Sequence, residues 1–257
     1  MNASTPASGR LSVVGLGPGG AALMTEQVRA TIAAASDAFG YFPYIERLQG
    51  LGHLNLHASD NREELDRARA ALDLAALGRQ VLMLSSGDPG VFAMASAVFE
   101  VLDVATPEQA QRWATVDIEV QPGITAMLAA AARLGAPLGH DFCCINLSDN
   151  LKPAAVIEKR IRLAAQADFA MAFYNPCSTS RPEGFRRALR VLAEECEPGR
   201  LICFARNVSR PDERLQVLPL DAVTPEMADM RTVVIVGNSM TRQVGQHVYT
   251  PRSYPHA

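Results

Sequence analysis

The residues most suited to chemistry are loop glycines, carboxylates and arginines rather than a nucleophile beside a base. Gly15, Gly17 and Gly20 lie in GLGPGG and satisfy the G-x-G-x-x-G spacing of a dinucleotide loop, between an apolar run and a helical pattern. Such a loop binds a pyrophosphate through backbone N–H groups. Pro18 removes one of those donors. The acidic residue that should close a second strand about 20 residues later is matched only by Asp37, which instead opens the segment DAFGY. A tight turn that needs small residues and positive φ explains GLGPGG at least as well.

SSGDPG (85–90) sets a glycine beside a carboxylate. Gly87 would let backbone approach a ligand, and Asp88 would also sit where it caps a helix starting near Pro89. His53, His57 and His140 are acid–base candidates by type alone, and a lone histidine is commonly structural. Cys143, Cys144, Cys177, Cys196 and Cys203 are odd in number and no pair has C-x-x-C spacing, which argues against a disulfide framework or a zinc site. It suits a reducing, cytoplasmic setting. Cys143 and Cys144 fall in an apolar strand, where thiols act as small hydrophobes. Arg206, Arg210 and Arg242 fall near strand ends or loops, and Lys152 follows SDN (148–150). Their placement predicts a local basic rim. Arg62, Arg67, Arg69, Arg160 and Arg187 fall on helical patterns among acidic residues and read as solvated faces.

The elements that must position these groups alternate. Apolar β-type runs occur at 11–16, 80–87, 116–123, 141–148, 167–176, 200–206 and 232–238. Helical patterns occur at 61–78, with a cap signal at Asp60 and Asn61, and at 91–103, 124–135, 154–166 and 182–196. The alternation predicts an α/β fold with largely parallel sheets. Gly, Pro and polar residues cluster at the carboxyl ends of the strands, the edge where open α/β sheets bind ligands, which suggests one long cleft. With 257 residues the chain can bury a sizeable core without disulfides. Residues 1–10 read as a disordered tail with no apolar core of a secretory signal. An N-terminal α/β domain is expected over 11–121 and a C-terminal one over 122–257. A net charge of −3 gives no global field for nucleic acid, and no run is long and apolar enough to span a bilayer.

Read together, VVGLGPGG (13–20), SSGDPGVFAMAS (85–96), VQPGITAMLAAAARLGAPLGHDF (120–142) and TVVIVGNS (232–239) resemble the tetrapyrrole methylases, in family order and over nearly the whole chain after the tail. GYFPYIERL (40–48), INLSDNLKPAAVIEKRI (145–161), AFYNPCSTSRPEGF (172–185), ARNVSRPDE (205–213) and VYTPRSY (248–254) resemble the branch that methylates carbon 17 of a precorrin with ring contraction. One departure is Ala154, where that branch usually has an aromatic residue.

The resemblance implies two α/β domains of the tetrapyrrole methylase type with the cofactor cleft between them. It implies a homodimer, S-adenosylmethionine as methyl donor and S-adenosylhomocysteine as product. The substrate would be precorrin-3B, or its cobalt-bearing counterpart, in cobalamin synthesis. It marks Pro18, Gly87, Asp88, Val91, Thr125, Ala126, Tyr174 and Asn207 as cofactor contacts. Gly17, Gly19, Tyr44, Asp149, Asn150 and Arg206 are marked as substrate-proximal. Blander roles stand beside several of these: a plain turn for GLGPGG, a first-turn helix residue for Thr125, a core aromatic for Tyr174. Another tetrapyrrole methylase, a dinucleotide oxidoreductase and a non-catalytic tetrapyrrole carrier remain as alternatives. No general acid or base is singled out.

Overall fold

The computed structural model describes residues 9–178 and 180–253. The expected tail therefore lies outside the described residues as far as residue 8. Gly9 is buried and Arg10 already belongs to a strand, so the fold begins earlier than the expected end of the tail. The chain divides into two compact units, Met1–Thr125 and Ala126–Ala257.

The first unit runs β1 (Arg10–Gly15), α1 (Glu26–Ala34), β2 (Asp37–Tyr41), α2 (Phe42–Ile45), β3 (Asn55–Ser59), α3 (Glu64–Ala76), β4 (Gln80–Ser85), α4 (Met94–Asp103), α5 (Pro107–Trp113) and β5 (Asp117–Gln121). Its five strands form one parallel sheet in the order β3-β2-β4-β1-β5. Both faces of the central strands are covered, which explains their continuous apolar runs. Successive side chains alternate between faces. Leu11, Val13, Val81 and Met83 pack with Ala68, Leu72, Val98 and Trp113. Val14, Leu16, Leu82 and Leu84 pack with Val28 and Ile32 of α1. Each such side chain contributes about 1.5–3 kcal/mol on burial. From β1 the chain leads through α1 to β2, and from β4 through α4 and α5 to β5, on opposite sides of the β4–β1 pair. The switch point therefore lies between β4 and β1.

The second unit runs α6 (Ala126–Leu134), β6 (Gly135–Ala136), β7 (Phe142–Asn146), α7 (Ala154–Gln166), β8 (Ala170–Tyr174), α8 (Glu183–Glu195), β9 (Leu201–Arg206), β10 (Arg214–Pro219), β11 (Thr232–Val236), β12 (Arg242–Val244) and β13 (His247–Tyr249). Its main sheet has the order β10-β9-β11-β8-β7. Here the expectation of largely parallel sheets fails. In this sheet, among the described residues, only β7 and β8 pair in parallel, because β11 inserts antiparallel between β8 and β9 and a short loop folds β10 back onto β9. Phe173, Phe185, Leu192 and Phe204 anchor its core with Ile161 of α7.

Two helix starts also differ from expectation. Asp60 does not cap α3; its Oδ1 accepts from the Arg62 N–H at 3.2 Å and the helix begins at Glu64. Asp88 does not cap α4, because Phe92 takes a φ of 53° and delays the helix to Met94. Arg67 is not on a solvated face: it is 4% exposed and donates to the Ser59 hydroxyl at 2.8 Å and to the carbonyls of Ser59 and Asp60, tying α3 to the end of β3.

Candidate active site

Three loops of the first unit meet at the switch point. The loop after β1 and the loop after β4 are joined by reciprocal backbone bonds, Gly17 N–H to Gly87 O at 3.2 Å and Gly87 N–H to Gly17 O at 3.0 Å. Both glycines have left-handed backbone, with φ of 71° and 64°. The turn after β5 packs directly on them. A Cβ on Gly123 would lie 2.1 Å from Gly87 O, and one on Gly15 would lie 2.6 Å from the same oxygen. Asp88 completes the junction. Its Oδ1 accepts from Gly90 N–H at 2.8 Å and its Oδ2 from Gly123 N–H at 3.0 Å. Val91 N–H in turn bonds Asp88 O at 3.3 Å. Of the residues expected here, Gly17, Pro18, Gly87, Asp88 and Val91 thus belong to one continuous loop cluster. Pro18 is buried and Gly19 half-buried.

Sequence reasoning passed over Arg47. Its guanidinium donates to Leu16 O at 2.6 Å, Gly17 O at 3.1 Å and Gly19 O at 2.7 Å. No local pattern signals this, because Arg47 lies 30 residues from Gly17 in the chain. Tyr44, from the same segment, packs edge-on to Tyr41 at the end of β2, with ring centroids 5.6 Å apart.

These contacts decide how GLGPGG reads. Gly17 and Gly87 use their N–H groups on each other, and Gly90 and Gly123 use theirs on Asp88. Helix α1 starts only at Glu26, and its Val28 N–H is already capped by the Thr25 hydroxyl at 3.2 Å. Asp37 opens β2, at the opposite end of the strand from these loops, and pairs with Arg79 at 2.6 Å and His57 at 3.1 Å. The long helix thus starts too late for a dinucleotide loop, the Gly17 N–H is already taken, and the carboxylate lies at the other end of β2. Burial alone would raise the Asp37 pKa, but hydrogen bonds from Ser36, His57 and Arg79 outweigh it and hold the carboxyl below its ordinary value. His57 also stacks on Phe39 with centroids 4.2 Å apart, and His53 Nε2 lies 3.1 Å from Ile32 O. Both histidines sit in structural contacts.

Thr125, the last residue of the first unit, is buried. In the second unit, Ala126 opens α6, and the neighbouring Met127 N–H donates to the Tyr174 hydroxyl at 2.8 Å. Tyr174 ends β8 and is therefore more than a core aromatic: its phenol satisfies a first-turn amide. The loops after β7 and β8 are joined through Asn146, whose Oδ1 accepts from Ser148 N–H at 2.9 Å and from Asn175 Nδ2 at 3.1 Å. Asp149 pairs with Arg187 at 2.7 Å, and Asn150 is exposed.

Asn207 has a φ of 50° and donates to Asp212 at 2.6 Å. Arg206 pairs through Nε with Asp229 at 2.9 Å, so one edge of its guanidinium is already engaged by a carboxylate of the same unit. Burial would raise the Asp229 pKa, but hydrogen bonds from Thr232 and Arg206 bring it below the usual range. Lys152 is half-buried, and burial followed by the charge of Arg160 pushes its pKa down. Arg210 and Arg242 are exposed. Among the described residues no group of three or more His, Cys, Asp or Glu is placed to hold a metal ion, and no helix is long and apolar enough to cross a membrane.

The fold and its strand-end loops define a two-unit α/β protein whose first sheet gathers tight glycine turns at a switch point. The model of the Tetrapyrrole (Corrin/Porphyrin) Methylases matches residues 10–224, and the chain belongs to that family. It is 51% identical over 252 residues to the precorrin-3B C(17)-methyltransferase of Sinorhizobium sp., covering 96% of this chain and 98% of that one. It is 38% identical to the probable cobalt-factor III C(17)-methyltransferase of Salmonella typhimurium, covering 95% and 99%. Among solved structures, that of the methyltransferase CobJ superposes with a TM-score of 0.90 at 61% identity, covering 95% of this chain and all of that one.

Proposed function

We propose that the chain transfers a methyl group from S-adenosylmethionine to carbon 17 of precorrin-3B, with contraction of the ring to precorrin-4, in cobalamin synthesis. The observation that carries this reading is the 51% identity to a precorrin-3B C(17)-methyltransferase across nearly the full length of both chains. The lower identity, 38%, to a probable cobalt-factor III enzyme makes the cobalt-bearing substrate the second reading.

The donor set fits the methyl donor better than it fits a phosphate ligand. The loops after β1, β4 and β5 leave glycine backbone and a carboxylate at the switch point, with their key N–H groups already used. S-adenosylmethionine, when bound, supplies a methyl group on a sulfonium centre that is already a good leaving group. The chain then has to hold donor and substrate in place and exclude water, and positioning alone can supply about 7–11 kcal/mol. Pro18, Gly87, Asp88, Val91 and Thr125 in the first unit, with Ala126, Tyr174 and Asn207 in the second, are the proposed cofactor contacts. Gly17, Gly19, Tyr44, Asp149, Asn150 and Arg206 are the proposed substrate contacts. Arg206 would answer a substrate carboxylate with the guanidinium nitrogens that do not bond Asp229. We take the working form to be a cytoplasmic homodimer. The compartment is supported by five free cysteines, one of them buried.

The test is turnover of precorrin-3B with methyl-labelled S-adenosylmethionine, read by product mass and by the position of the label. A label on carbon 17 of a contracted ring is expected. A label elsewhere, or turnover of the cobalt-bearing substrate alone, would overturn the assignment.

A further inference from the structure

Arg47 belongs to none of the loop motifs, yet it makes three of the bonds that shape the loop carrying Pro18. We infer that Arg47 is a positioning residue that fixes the ligand-binding form of the loop after β1. The inference rests on the methyltransferase reading for the ligand's identity, and on geometry for the rest.

The carbonyls of Leu16, Gly17 and Gly19 converge on one guanidinium, at 2.6, 3.1 and 2.7 Å. Three carbonyl oxygens directed at one point repel each other, and a cation at that point reverses the sign of the interaction. Backbone bonds hold Leu16 to Ser85 and Gly17 to Gly87, and Arg47 adds the side-chain contact that reaches on to Gly19. Pro18 has no N–H to close a turn, and Gly17 is left-handed, a conformation with several low-energy neighbours for glycine. Gly17 O is shared: it accepts from Arg47 Nη1 and from Gly87 N–H. Arg47 is therefore linked through a single oxygen to the loop that carries Asp88. Its own backbone is anchored by Ile45 and Leu48, both buried on the core side of this segment. A lysine would carry the same charge but not the planar fork that reaches three oxygens.

The experiment uses the full chain, its Arg47→Ala and Arg47→Lys variants, and S-adenosylmethionine as probe. Affinity is measured by calorimetry, thermal midpoints are recorded in parallel, and the Arg47→Ala titration is repeated with millimolar methylguanidinium. The wild type is expected to bind. Arg47→Ala is expected to weaken binding by about tenfold or more, with part of the loss restored by methylguanidinium. Arg47→Lys is expected to bind less tightly than wild type while unfolding at nearly the same temperature; it carries the test if Arg47→Ala does not fold.

Variants that bind as tightly as wild type would overturn the inference alone. So would an Arg47→Ala loss that methylguanidinium leaves unchanged, since only the missing group itself can be replaced in that way. A wild type silent to S-adenosylmethionine would overturn the underlying reading, and the inference with it.

Discussion

Asp88 accepts the backbone N–H of Gly123 at 3.0 Å, so a single carboxylate oxygen ties the turn after β5 to the loop after β4. Its other oxygen holds Gly90 at 2.8 Å. Asp88→Ala removes both acceptors and leaves Gly123 N–H beside packed backbone. We predict a stability loss of about 1–3 kcal/mol, read by urea denaturation. Asp88→Asn keeps one acceptor oxygen and should fall between wild type and Asp88→Ala. Equal stability of all three would show that the bridge carries no energy.

The glycines of the loop cluster should not be equivalent. A Cβ at Gly123 would lie 2.1 Å from Gly87 O, with backbone on both sides and no side chain to yield. Gly123→Ala should therefore cost about 3 kcal/mol or more. Gly20, the last glycine of the G-x-G-x-x-G spacing, has nothing within 4 Å of such a Cβ and an ordinary φ of −67°. Gly20→Ala should be neutral or stabilising by about 0.4–1 kcal/mol. A dinucleotide loop would need its third glycine for close helix–strand packing, so a marked loss from Gly20→Ala would revive that reading.

Asp37 gives the first unit an acid-sensitive contact. Its folded pKa lies below its unfolded value of about 3.9. The contribution is therefore fully present above about pH 4 and is lost as pH falls through the folded pKa. Asp37→Asn should lower stability near neutrality by about 1–3 kcal/mol. The gap between wild type and variant should close on acidification below about pH 4. A gap that stays constant from neutral pH to pH 3 would contradict this.

The thiols should differ in reactivity. Burial pushes Cys203 up to about 12, while Cys144 reaches about 12 through burial followed by the neighbouring Cys143. Alkylation near pH 8 should label Cys203 only after unfolding. Rapid labelling of Cys203 in the native protein would show that β9 opens more readily than its packing implies.

Much of the first unit was legible because parallel buried strands leave uninterrupted apolar runs, as in β1 and β4, closed by glycine turns. The second sheet was less so. Strands β8, β9 and β11 have the same apolar character in either direction, and only the hydrogen-bond ladder shows that β11 runs antiparallel to its neighbours. Asp88 and Gly87 could be picked out as a pair because they are adjacent. Their partner could not: Gly123 meets them through tertiary contacts that no local spacing encodes, and the contacts of Arg47 with the Leu16, Gly17 and Gly19 carbonyls are equally remote in the chain. Arg67 was misread for a related reason. Its acidic neighbours suggest a wet face, but its fork turns inward to the end of β3. Neither Asp60 nor Asp88 starts a helix, because Asp60 closes its own turn at Arg62 and Asp88 holds Gly90 and Gly123 instead.

Binding of S-adenosylmethionine at the loop cluster can be measured by calorimetric titration of the wild type and Asp88→Ala, with NADH and NADPH titrated into the wild type for comparison. Micromolar binding of S-adenosylmethionine is expected, weakened about tenfold or more in the variant, with no binding of either nicotinamide nucleotide. Tight NADH or NADPH binding with no response to S-adenosylmethionine would contradict this, and would return GLGPGG to the dinucleotide loop that its spacing first suggests.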